Sequence, residues 1–166
     1  MNIISRIFFG KVDREMRRIN RRSRIALHAI VYEENLIYRI ERILDTDKDA
    51  DKIKKEITGA KKIKRRFTYI IDQFIEHSRL IHKALYPHRG KIKNFIDGLE
   101  FEKGMIGLYW DEVFLHLDYE GMRRVIPIYL RLLRRIRKRI KIISMVERKS
   151  KQKVEVKELI PAKEAA

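Results

Sequence analysis

The chain contains no cysteine, which excludes disulfides, Cys-ligated zinc and thiol catalysis. No apolar run approaches the roughly 20 residues that span a bilayer. The N-terminus also lacks the long apolar stretch and small-residue cleavage site of a signal peptide, so a cytoplasmic location is the expectation. There is no Gly-rich phosphate loop, no recognisable Ser-His-Asp pattern and no Glu-x-x-His spacing of the di-iron bundles. No catalytic residue, cofactor or metal ligand set is therefore expected, and the reading is of a non-enzymatic protein.

Negative charge is also in short supply. There are 23 Asp plus Glu against 40 Lys plus Arg, a formal net charge of +17. An excess of this size opposes compaction and favours polyanions, either nucleic acid or an anionic membrane surface. The wealth of Ile, Lys, Arg and Glu, with few Asn and Gln, also fits a heat-adapted, thermostable protein. That would account for charge of both signs better than for a surplus of one.

What remains is helical. Apolar residues make up 45% of 166 residues, enough to build one core at this length. Residues 1–10 read as an N-terminal amphipathic arm in which Ile3, Ile4, Ile7 and Phe8 share one side and Gly10 ends or hinges the turn. Residues 11–148 read as a helical bundle and 149–166 as a charged flexible tail.

Four stripes at alternating four-three spacing define the bundle. The first, over 11–44, runs through Met16, Ile19, Ala26, Ile30, Ile37, Ile40 and Leu44 and is interrupted only at Glu33. The second, over 47–85, includes Ile53, Ile57, Phe67, Ile71 and Phe74, with a basic belt of Lys61, Lys62, Lys64, Arg65 and Arg66. The third, over 91–117, includes Phe95, Leu99, Ile106 and Trp110; its glycines predict a break near Gly104, and 113–117 has the composition of a strand. The fourth, over 122–147, runs from Met122 through Ile126, Tyr129, Leu133, Ile136 and Ile140 to Ile143. Pro127 either kinks it or marks its first turn, and Asp118 is placed to cap it.

Short turns between long helices predict an all-α, antiparallel up-down four-helix bundle, with helices 1, 2 and 4 long and helix 3 broken. That topology gathers Arg14–Arg24, Arg79, His82, Lys83, His88, Arg89, Lys91, Lys93 and Arg134–Arg148 at one end. Asp45, Asp47, Asp49, Asp51, Asp111, Glu112, Asp118 and Glu120 collect at the other. The expected partner is nucleic acid, held through phosphates by Arg17, Arg18, Arg21, Arg22, Arg134, Arg135, Arg137, Lys138 and Arg139 with little sequence specificity. Docking of an acidic protein is a further outcome of the same surface, and helical stripes this regular could also assemble with a second copy.

Two metal constellations arise as well. Asp45, Asp47, Asp49 and Asp51, with Glu56 at the twelfth position, resemble a calcium loop, but Ala50 stands where the sharp turn needs Gly. Helix capping accounts for the same residues. Glu33 or Glu34, Glu56 and His116 fall at similar heights, where ion pairs are the competing expectation.

The opening MNIISRIFFGK, followed by a basic helical hairpin, resembles in its organisation the membrane-remodelling proteins of the ESCRT-III and phage-shock type. The resemblance covers about half the chain. It implies a peripheral membrane scaffold whose N-terminal helix, through Ile3, Ile4, Ile7 and Phe8, enters the interface while the basic end meets anionic lipid.

Overall fold

The computed structural model describes residues 3–46, 49–84 and 89–159, with side chains for 14, 16–46, 49–81, 90 and 92–149. It is a helical bundle of α1 (Ile3–Thr46), α2 (Ala50–Gly59), α3 (Lys61–Ala84), α4 (Arg89–Tyr109) and α5 (Tyr119–Leu159), with a π-helical turn, Trp110–Phe114, extending α4. No strand occurs among the described residues. No helix among them is long and apolar enough to cross a membrane.

The stripes become the core. Ile19, Ala26, Ile30, Ile37, Ile40 and Leu44 of α1 are buried with Ile126, Tyr129, Leu133, Ile136, Ile140 and Ile143 of α5. Helix α1 packs on α3 and α5, and α4 packs on the same two. Where the stripe of α1 breaks, Glu33 is buried and fully enclosed.

The chain departs from the expected boundaries at four places. Helix α1 runs without interruption through Gly10, so residues 3–10 and 11–46 belong to one helix. The side chains of Ile3, Ile4, Ile7 and Phe8 lie outside the described residues. The second helix is divided at Ala60, although Ala60 keeps helical angles (φ −73°, ψ −14°) and its N–H still reaches the Glu56 carbonyl. The buried face therefore carries over from Ile53 and Ile57 to Phe67 and Ile71.

The third helix is unbroken at Gly104 and changes at Trp110 instead. The Leu115 N–H bonds the Trp110 carbonyl, five residues back, which widens the turn and advances the register. Trp110 and Phe114 are thereby both buried and stacked, with centroids 5.1 Å apart. Residues 113–117 complete this turn and its cap and do not form a strand. Finally, α5 continues to Leu159, through most of the stretch expected as a tail.

The caps are as expected. The Asp49 carboxylate accepts from the N–H groups of Asp51 and Lys52 at the start of α2. The Asp118 carboxylate accepts from the Gly121 N–H at 2.9 Å at the start of α5. Pro127 lies inside α5, past its first turn, and the helix runs on through it.

Candidate polyanion interface and the buried lysine beneath it

Of the arginines and lysines expected to hold phosphate, Arg17, Arg18, Arg21, Arg134, Arg135 and Lys138 are exposed. Arg22 is half-buried and its Nε donates to the Arg18 carbonyl at 3.4 Å. Two others have structural work. Arg137 donates to Glu34 of α1 at 2.5 Å. Arg139 donates to the buried Glu102 of α4 at 2.9 Å, with its guanidinium over the Phe95 ring. Gly98 lies against that guanidinium so closely that a methyl group there would collide with it.

The expected gathering of charge at one end is only partly met. Arg148 donates to Asn20 at 2.7 Å, which brings the end of the α5 basic run beside the arginines of α1. The Arg137–Glu34 bond puts Arg134, Arg135 and Lys138 level with the C-terminal half of α1, away from Arg17, Arg18, Arg21 and Arg22. The cations are thus spread along the molecule. His82, Lys83, His88, Arg89 and Lys91 have side chains outside the described residues. The opposite end is mixed as well. Arg123 donates there to the Leu44 carbonyl and to Glu120, and Lys54 and Lys55 of α2 are exposed nearby.

What sharpens this surface is the fate of the acids. Glu33, Glu102 and Glu147 are buried, and Glu34 faces inward to Arg137. Glu33, Glu34 and Glu102 are each matched by a cation drawn in with them, Lys64, Arg137 and Arg139, so the surplus of positive charge is carried by the cations outside these pairs. Spacing marks these positions, since Glu33 interrupts the stripe of α1, Glu102 lies three residues after Leu99 and Glu147 four after Ile143.

A second row of cations adjoins the middle of α1. A groove of about 470 Å³ between α1 and α3 is lined by His28, Tyr32, Lys62 and Arg66 over apolar residues that include Ile25 and Ile63. Tyr32 is 60% exposed, and an aromatic face beside cations suits an unstacked base. The tyrosine interrupts no pattern in the sequence, so only its placement beside Lys62 and Arg66 draws attention to it.

The basic belt on α3 is not all surface. Lys64 points inward, and its Nζ donates to Glu33 Oε1 and to the Tyr129 oxygen. The Tyr129 hydroxyl donates to the same Glu33 oxygen. The ammonium also faces the rings of Trp110 (4.9 Å), Tyr129 (5.2 Å) and Phe67 (5.4 Å), within range of cation–π attraction. Burial pulls the Lys64 amine below the usual lysine range, against the attraction of Glu33 and Asp111. Burial, reinforced by the Glu33 charge, pushes the Tyr129 phenol well above its usual value. The other Glu33 oxygen, Oε2, is buried without a hydrogen-bond partner.

The metal constellations are not assembled. Glu33 is committed to Lys64, Glu34 to Arg137 and Glu56 to Arg39. The His116 Nδ1 is bonded to the Asp111 carbonyl at 2.8 Å. No group of three or more His, Asp or Glu among the described residues is placed to hold a metal ion; Asp47 of the calcium-like stretch lies outside them. Compared with protein-family models, with curated proteins and with solved structures, the chain matches none.

Proposed function

We propose that the protein is a non-enzymatic binder of nucleic acid that grips the phosphate backbone with little sequence specificity. The observation that carries the reading is a set of exposed cations left outside the ion pairs that join the helices. Arg21, Arg134, Arg135 and Lys138 stand exposed and hold no ion pair among the described residues, whereas Lys64, Arg137 and Arg139 are paired with Glu33, Glu34 and Glu102. Like charges crowded on a surface repel, and an anionic backbone relieves the repulsion. Arginine predominates, which suits the planar, two-pronged recognition of phosphate.

An up-down-up-down arrangement supports the reading. The bonds Arg148–Asn20, Arg137–Glu34 and Arg123–Leu44 follow α5 forwards and α1 backwards. Lys64–Glu33 and Arg39–Glu56 do the same for the second pair of helices, as Arg79–Glu100 and Lys103–Asp72 do for α3 and α4. In such a bundle Arg134, Arg135 and Lys138 stand level with the Glu34 region of α1, and Arg17, Arg18, Arg21 and Arg22 of α1 stand level with Arg148 of α5. Tyr32 and the Lys62–Arg66 row border this surface across α1.

The test is binding to RNA, duplex DNA and anionic vesicles over a salt series, with the full chain and with residues 1–10 removed. Nucleic-acid affinity should fall steeply with salt, because each neutralised phosphate releases counterions. It should survive the deletion. Salt-independent binding would remove the reading. Vesicle binding that disappears with residues 1–10, without nucleic-acid binding, would favour a peripheral membrane scaffold instead.

A further inference from the structure

A groove of about 890 Å³ separates α2 and α3 from the end of α4 and its π-helical turn, a volume typical of small-molecule sites. We propose that it binds an organic phosphate monoester, the phosphate on the α2–α3 wall and a compact apolar body against Trp110, Leu115 and Leu117. This goes beyond backbone binding by the cations of α1 and α5 and uses other residues.

The two walls are chemically opposed. Lys54, Lys61, Arg65 and Thr68 line one side, spaced seven, four and three residues apart, and the helical path through Ala60 keeps them on one face. The three cations are exposed and hold no ion pair among the described residues. Thr58 lies among them but donates its hydroxyl hydrogen to the Lys54 carbonyl at 2.8 Å, so it is not a donor for a ligand. Of the two acids in the groove, Asp72 is bound to Lys103, which leaves Asp111 facing the cations. Three cations and a hydroxyl exceed what one carboxylate can occupy and match the oxygens of a phosphate. The side chain of Lys64, 11% exposed, forms part of the floor.

The apolar wall is built from costly backbone. Gly107 lies inside α4, where glycine costs about 1 kcal/mol relative to alanine. Nothing in the molecule requires it, since a methyl group there meets no atom within 4 Å; the open space is the groove. The adjoining π turn is a feature that recurs at functional sites. Leu117 then takes a left-handed conformation, φ 55°, which a leucine rarely adopts. Glycine would suit this helix-ending position better, but a glycine would remove the side chain that lines the groove. Three unfavourable choices border one cavity, as expected where a ligand compensates for local strain.

The experiment uses the full chain and phenyl phosphate, followed by titration calorimetry and by the indole N–H resonance of Trp110, the only tryptophan. Phenyl phosphate should bind saturably and shift that resonance. Inorganic phosphate should bind about tenfold more weakly, because it forgoes the apolar wall. Gly107→Leu fills the groove with a better helix former, so it should stay folded while phenyl phosphate binding weakens about tenfold or more. Lys61→Gln/Arg65→Gln should weaken it similarly, and Gly107→Leu should leave nucleic-acid binding unchanged. The proposal is overturned by absence of saturable binding, by equal affinity for inorganic phosphate, or by a Gly107→Leu protein that binds phenyl phosphate as the parent does.

Discussion

Lys64 is the residue whose surroundings decide most. Its ammonium, the Glu33 carboxylate and the Tyr129 hydroxyl satisfy one another inside the bundle. Lys64→Met leaves Glu33 as an uncompensated buried charge and should cost about 3–5 kcal/mol in urea denaturation. Glu33→Leu/Lys64→Met/Tyr129→Phe removes all the polar partners together and should recover most of that loss. A triple variant less stable than Lys64→Met would contradict this reading of the network. The pH dependence has a definite sign. The folded chain gives up the Lys64 proton at lower pH than the unfolded chain does. Between those two values the unfolded state binds more protons, so the Lys64 contribution to stability rises with pH across the window, and its cost is fully present below it. Tyr129 acts oppositely. Its raised folded value makes its contribution fully present below about pH 10 and lost as pH climbs through the folded value. As pH rises past about 10, the unfolding midpoint of the parent should fall relative to that of Tyr129→Phe.

At the scale of elements, the apolar stripes were legible because helical burial repeats in sequence. Ile19 to Leu44 and Met122 to Ile143 are buried where their spacing put them. Caps were legible for a similar reason, since Asp118 needs only its own helix start. The break in the third helix was not, because glycine content marks cost and not location. Gly98 is excused by the Arg139 guanidinium, which comes from another helix, and the register change at Trp110 depends on two rings stacking in the core. The same reasoning separates the glycines by experiment. Gly104→Ala adds a methyl group in open space and should stabilise by about 0.5–1 kcal/mol. Gly98→Ala should destabilise, because the guanidinium must shift from its place between Glu102 and the Phe95 ring. Thermal midpoints that move the same way for both would contradict this assignment.

For the molecule as a whole, a net charge is readable at once in the sequence, but its distribution is not. The basic belt of α3 reads as five surface cations, whereas Lys64 is buried and the others divide between two grooves. Arg137 and Arg139 read with their neighbours as phosphate ligands, whereas both hold helices together through Glu34 and Glu102. A run of like residues looks uniform in sequence and is sorted only by the faces that packing assigns. This sorting makes a prediction about roles: Arg137→Ala and Arg139→Ala should lower thermal stability, while Arg134→Ala and Arg135→Ala should leave it nearly unchanged. The most direct test of the central claim is the salt slope of single-stranded RNA affinity in the parent and in Arg134→Gln/Arg135→Gln/Lys138→Gln. If each of these side chains neutralises a phosphate, the slope of log K against log salt becomes shallower by about 0.7 for each phosphate no longer neutralised. An unchanged slope in the triple variant, with the fold intact, would contradict the account.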